Sequence, residues 1–288
     1  MSLKRTDGAW DPSGPFRYFC SIPFRAGSPR TCFRVSDSHL FTPDRISGGA
    51  ALEMIIDAVR SRASTMLVDS GVFGIASAAS KATGRPLPEC FATPYRQLDG
   101  WQGHWKRWTK VIDLLREDCW GYVEIDLGGV EGKRETREWV EEQGYRPIPV
   151  FHALADPWDY FEELAGTYDR IAIGNLVQAS EALRFRILRR IRESRKGMPV
   201  RWIHALGVYP YAAFLACPTE SCDASSPSAP LQFGLPMLDS SAMALRHLEA
   251  FGYRHGEGKH AYQTMVAWNF RDALFAERNG QMIMEAQA

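Results

Sequence analysis

Apolar runs of five to eight residues alternate with longer amphipathic stretches along most of this chain. Residues 16–22 (FRYFCSI) and 33–35 are the first short, strand-like segments. A helix is predicted over 48–61, where Leu52, Ile55, Ile56 and Val59 recur at helical spacing. Residues 65–71 (TMLVDSG) read as an apolar strand ending in Asp69, Ser70 and Gly71. Residues 74–100 are small and rich in Gly and Pro, which predicts a long loop. A helix follows over 101–119, then a buried strand over 121–129 (GYVEIDLGG) and a charged helix over 131–143, with Gly144 as its C-cap. Next come a strand over 148–154, a short helix over 158–165, a strand over 170–177 and a basic helix over 180–196 closed by Gly197. A strand over 200–205 leads past Gly207, through a short Tyr/Ala/Phe helical segment, to Glu220, Ser221, Cys222 and Asp223. Two further helices are predicted over 240–251 and 262–277.

Strands that alternate with helices predict parallel β structure with crossover helices. The first-choice architecture is an α/β fold, a single-domain (β/α)8 TIM barrel over residues 16–288, with an irregular eighth strand and C-terminal helices. Residues 1–15 are expected to form a flexible N-terminal segment. An open, doubly wound sheet is the second choice. Asp69, Asp126, His152, Gly174, Gly207 and Asp223 all fall at the carboxyl ends of successive strands. A barrel gathers such ends around one mouth; an open sheet spreads them along an edge.

Composition narrows the partners. The chain has 288 residues, 45% of them hydrophobic, enough for a large core. Lys and Arg number 34, as do Asp and Glu, so the formal net charge is zero and any nucleic-acid contact must use a local patch. One patch is the helix bearing Arg184, Arg186, Arg189, Arg190, Arg192, Arg195 and Lys196, whose plain reading is a solvated face. The other interleaves rings and charge, with Trp101, Trp105, Lys106 and Arg107 as candidate nucleic-acid contacts. Six cysteines without a CxxC pair predict reduced, buried thiols. Cys217, Cys222, His204, His247, His255 and His260 lie close in sequence but not at a zinc spacing, so no metal or cofactor is expected. No signal peptide is visible and no apolar run approaches a membrane span, so a soluble cytoplasmic protein is expected, with no membrane partner. No P-loop and no GxGxxG follows a strand, and Ser70 lacks a nucleophile elbow.

Three carboxylates at one mouth permit a division of labour: one attacks carbon, one moves a proton, and one reads a ligand's N–H donors. Taken singly, an aspartate after a strand is read first as the N-cap of the next helix. Taken with Gly71, Gly128, Gly174 and Gly207, which leave room for a flat ligand, Asp69, Asp126 and Asp223 read as a site. A lone strand histidine such as His152 is a base, a ligand, a donor or simply a satisfied structural residue.

Six pieces of the chain resemble the tRNA-guanine transglycosylase superfamily, particularly its short phage-type branch that inserts 7-deazaguanines into DNA. They are VDSGVF (68–73), YVEIDLGG (122–129), PVFHAL (149–154), RIAIGNL (170–176), HALGV (204–208) and ESCDASS (220–226), in the family's order across about residues 65–234. The resemblance implies a transferase that replaces guanine in DNA with a 7-deazaguanine, such as 7-cyano-7-deazaguanine, through a covalent Asp–sugar intermediate. It implies that Asp223 is the nucleophile and Asp69 the general acid/base. Asp126 would read the base's N–H edge, Phe73 would stack on the base, and Gly174, Asn175 and Leu176 would contact it through the backbone. Leu206 and Gly207 would form the pocket floor. His152 falls where the tRNA enzymes use a Gln, which is a departure. A larger one is the missing zinc module, since residues 224–288 contain no cysteine. That favours DNA, in the host cytoplasm for a phage-encoded protein. The same exchange on tRNA or a free nucleotide, or a catalytically silent purine-binding barrel, are the alternatives.

Overall fold

The computed structural model describes residues 3–8, 17–22, 33, 38–44, 46, 48–208 and 219–224. Eight strands lie among them: β1 (Arg17–Ser21), β2 (Ser38–Phe41), β3 (Thr65–Val68), β4 (Gly121–Tyr122), β5 (Val150–His152), β6 (Arg170–Gly174), β7 (Trp202–Ala205) and β8 (Ser221–Ala224). The helices are α1 (Gly49–Arg60), α2 (Val72–Thr83), α3 (Leu87–Ala92), α4 (Trp101–Leu115), α5 (Gly129–Glu142), α6 (Trp158–Thr167) and α7 (Glu181–Ser194). The helices expected over 240–251 and 262–277, the short one after Gly207, and residues 34 and 35 lie outside the described residues. Phe33, expected in a strand, is helical.

The strands form one curled, parallel sheet in the order β4-β3-β2-β1-β8-β7-β6-β5. β1 pairs with both β2 and β8, so the first and last strands are neighbours. The order has no reversal, and so lacks the switch point of a doubly wound sheet. Strand side chains alternate between two faces. On one face Met66, Val68 and Phe41 pack with helix residues such as Ile55, Val111 and Ile112, while Ile171, Ile173, Ile203 and Cys222 pack with Leu164 and Ile187. On the other, Phe19, Leu40, Leu67, Val150, Ala172 and Trp202 share a single cluster. Residues from six strands meet there, and this is what the curl accomplishes. Trp120 and Trp202 touch across it with ring centroids 4.1 Å apart.

The β4 end of the sheet departs from expectation. The apolar run 121–129 predicted one long strand, yet the ladder covers only Gly121–Tyr122. Val123 then makes a parallel bridge to Ile148, with Ile148 N–H donating to Tyr122 O (2.8 Å) and Glu124 N–H donating to Ile148 O (2.9 Å). Beyond this a side chain replaces the backbone: Glu124 Oε1 accepts from Val150 N–H at 2.6 Å. Arg137 Nη1 donates to the other oxygen at 2.9 Å, which offsets the burial of the carboxylate.

Two other expectations change. Residues 74–100 are not one loop but α2, α3 and a 3-10 turn over Tyr95–Gln97. The Ala-rich segment is a good helix former, and Ile75, Ala76 and Ala79 give it a buried stripe. Its Gly and Pro residues mark the element ends: Gly84 is the left-handed C-cap of α2, and Pro86 and Pro94 precede the next two turns. Residues 3–8, expected to fray, are tied to the amino end of the sheet. Lys4 bridges Tyr168, and buried Arg170 donates to Thr6 O (3.0 Å) and Asp7 O (2.8 Å). Among the described residues no helix is long and apolar enough to cross a membrane, and Cys20, Cys90, Cys119 and Cys222 are buried thiols outside any disulfide.

Candidate active site

The carboxyl ends of the strands carry the titratable groups. Asp69 follows β3, and its N–H donates to Phe41 O at 2.8 Å. Its Oδ2 accepts from Thr42 Oγ1 (3.1 Å) and its Oδ1 from Ser70 N–H (2.9 Å). Ser70 links two acids, because its hydroxyl donates to Asp126 Oδ1 at 3.3 Å. Burial, then the negative charges of Asp223 and Asp126, push Asp69 up to about 7 against the smaller opposing pull of Thr42 and Ser70. A carboxyl group in that range gives and takes a proton at neutral pH.

Asp126 is tuned the other way. Burial alone would raise it, but His152 Nε2 lies 2.6 Å from its Oδ2, and that hydrogen bond and charge, with Lys133 beyond, hold it below the usual carboxylate range. Neither acid is a helix cap. The N-caps of α2 and α5 are Gly71 and Gly128, both left-handed and without a side-chain cap bond. The plain capping alternative therefore does not describe Asp69 or Asp126.

Asp223 stands within β8, four residues of regular strand where an irregular eighth strand was expected. It is buried, opposite Phe19 in the β1 register. Its Oδ1 accepts from Gly207 N–H (2.8 Å) and lies 3.1 Å from His204 Nε2. Its Oδ2 accepts from Ser21 Oγ at 3.4 Å. Cys222 points to the opposite face, into the helix-facing cluster, as strand alternation requires.

The glycines have distinct physical reasons. A side-chain carbon at Gly174 would stand 2.7 Å from His152 Cδ2, so this glycine makes space for the imidazole. Gly207 has φ +67, and a carbon there would stand 2.7 Å from Val177 Cγ2. Asn175 takes the left-handed conformation (φ 65) that turns the chain out of β6, and Leu176 is fully buried behind it. Leu206 is half-buried against the inner cluster. Phe73, in the first turn of α2, is 58% exposed, and Val177 is equally so.

The aromatic-basic patch divides. Trp101 and Trp105 are half-buried and pack on Trp139 of α5, with ring centroids 6.0 and 4.5 Å away, so they join α4 to α5 rather than face solvent. Lys106 and Arg107 are exposed. In the basic helix Arg184 donates to Leu176 O (2.8 Å) and Val177 O (3.0 Å), while Arg195 pairs with Glu220 (2.6 Å).

Several partners of the site were not anticipated. His104, in the first turn of α4, is buried; its Nε2 donates to Ser70 O at 2.9 Å and its Nδ1 lies 2.9 Å from Tyr95 Oη. Burial lowers its pKa, so it serves as a neutral prop beneath the Asp69–Asp126 bridge. Asp44 sits against α2 where Gly71 and Gly74 lack side chains, 3.7 Å from both His104 and Arg107. Behind His152, the buried Lys133–Asp156 pair holds the β5 turn: Asp156 Oδ2 accepts from His152 N–H at 2.7 Å. Among the described residues no three His, Cys, Asp or Glu side chains group to hold a metal ion. Cys217, His247, His255 and His260 lie outside the described residues. No protein-family model matches this chain, and no curated protein matches it.

Proposed function

We propose that this protein is a base-exchanging transglycosylase that replaces guanine in DNA with a 7-deazaguanine, built on a (β/α)8 barrel. The observation that carries this reading is one cluster of three carboxylates in three different states of hydrogen bonding. Asp69 is poised near neutrality, Asp126 is held by His152 and Ser70, and Asp223 takes its two shorter contacts on one oxygen. The Val123–Ile148 bridge between the sheet's two ends supports the barrel reading.

In the proposed reaction Asp223 attacks the anomeric carbon of a guanine nucleotide. The carboxylate–carbon bond forms as the carbon–nitrogen bond breaks, and the electron pair leaves with the base, which takes a proton from Asp69. An oxocarbenium-like centre flanked by two carboxyl groups is the arrangement of retaining glycosidases. Asp69, now ionised, takes the proton of the incoming base, whose nitrogen displaces Asp223 and restores its carboxylate. Asp126 accepts N–H donors from either base, with Phe73 at the exposed side. The target nucleotide must leave its stack to reach a buried site. The absence of cysteine from residues 224–288 favours DNA over the tRNA substrate of the zinc-bearing enzymes that the chain resembles.

The test is incubation with guanine-containing DNA, tRNA or nucleotide and a labelled 7-deazaguanine. Label entering DNA alone is the expected result. Label entering only tRNA or nucleotide moves the same chemistry to that substrate, and label entering none leaves a silent binding protein. A covalent protein–DNA adduct is expected with the wild type and not with Asp223→Asn.

A further inference from the structure

We propose that His204, oriented by Ser221, is a positioning residue that locks Oδ1 of Asp223 and leaves Oδ2 as the oxygen that bonds to sugar carbon. This rests on the transglycosylase reading above. His204 is fully buried, its ring stacked on Trp202 (5.4 Å, 19°) and edge-on to Phe19 (5.7 Å). Its Nε2 is 3.1 Å from Asp223 Oδ1 and its Nδ1 is 2.7 Å from Ser221 Oγ. An ionised carboxylate only accepts, so Nε2 carries the proton, and in the neutral ring Nδ1 accepts from the Ser221 hydroxyl. Ser221 is also fully buried, so the relay is shielded from competing water.

The two oxygens of Asp223 are thereby unequal. Oδ1 receives Gly207 N–H at 2.8 Å as well as His204, while among the described residues Oδ2 receives only the long 3.4 Å contact from Ser21. Two donors from β7 and its following turn stop the carboxylate rotating, and Oδ2 keeps lone pairs free. When the Oδ2–carbon bond forms, Oδ1 becomes the ester carbonyl and still accepts both bonds. When the incoming base breaks that bond, the electron pair returns to the carboxylate and both bonds become charge-assisted. The same pair of donors therefore aids attack and departure.

The test compares His204→Phe, which keeps ring volume without a donor, with His204→Gln, whose amide N–H reaches the place of Nε2. Loss of one charge-assisted bond and of orientation predicts a fall of roughly 10- to 100-fold in kcat for His204→Phe, with KM for the base changed less than about 2-fold. His204→Gln is expected to recover most of the loss. A His204→Phe variant with wild-type kcat, or a His204→Gln variant as slow as Phe while melting normally, overturns the proposal. Nitrogen-15 NMR of the imidazole in substrate-free protein is the second measurement. An Nε2–H ring whose Nδ1 resonance moves in Ser221→Ala is expected, and an Nδ1–H ring overturns the lock whatever the substrate. A wild type that exchanges no base on DNA, tRNA or nucleotide sinks the transglycosylase reading and, with it, the role of Oδ2 as nucleophile.

Discussion

Gly174 ends β6 where the ring of His152 passes, leaving 2.7 Å between His152 Cδ2 and the place of a side-chain carbon. The glycine is thus a condition for the 2.6 Å contact between His152 Nε2 and Asp126. Gly174→Ala is expected to push the ring off Asp126 and raise KM for the base roughly tenfold or more, since a hydrogen bond to a charged group contributes about 1.5–3 kcal/mol. His152→Ala should produce a similar loss, and the double variant should lose little more than either alone. Steady-state exchange kinetics on the three variants check this; additive losses would show that the two residues act separately.

Asp69 makes both rate and stability depend on pH. Its folded value, about 7, lies above the ordinary 3.8, so the folded state holds the proton more tightly. Its cost to stability is absent below the ordinary value, grows as pH rises towards about 7, and is constant above. That cost is at most about 4 kcal/mol, and less where the mouth admits water. Asp69→Asn removes it, so the variant should melt above wild type at about pH 8 and lose most of that advantage at about pH 5. In single turnovers, base release by the wild type should slow as pH rises through about 7, because the acid that protonates the base is being lost. A flat profile would remove Asp69 from that role.

Lys133 and Asp156 form a fully buried pair that also accepts the His152 backbone N–H. Lys133→Met leaves Asp156 without its cation, and removing one partner of a buried pair costs about 3–5 kcal/mol. The variant should melt well below wild type, and Lys133→Met with Asp156→Asn should recover part of the loss. Thermal unfolding of both settles it. Base affinity should fall in step, because the turn that presents His152 is loosened.

In α4, rings and charges should separate on mutation. Trp105→Ala is expected to lower the melting temperature, with a cost of about 2–3 kcal/mol for a half-buried ring, and to leave the salt dependence of DNA binding unchanged. Lys106→Glu should do the reverse, weakening DNA binding and flattening its dependence on salt. Binding titrations at two ionic strengths, beside melting curves, check both.

Much of this site was legible in the residues. Runs such as TMLVDSG and IPVFHAL place a polar side chain where an apolar strand stops, and Asp69 and His152 are at those stops. The buried role of the tryptophans was legible too. Trp101, Trp105 and Trp108 recur at helical spacing together with Val111, Ile112 and Leu115, the stripe of a helix packed on a core. Glu124 and Asp126 show the limit. They sit two apart in VEIDL with the same local signal. One completes a sheet edge with Val150 and Arg137, while the other enters the site with His152 and Ser70.

By itself the sequence determined the alternation of β3 to β7 with α1 and α4 to α7, and the presence of a carboxylate after β3, after β4 and at Asp223. Those features follow from periodicity and chain direction, which are local. Only the tertiary structure decided which carboxylate is raised to about 7, which oxygen of Asp223 takes the two shorter hydrogen bonds, and why Gly174 must lack a side chain. Each of these is a sum over groups on different strands. Asp69 feels Thr42, Asp126 and Asp223 together, and Asp223 is gripped by β7 and its turn. Desolvation and charge act through space, and proximity across strands is set by how the sheet curls.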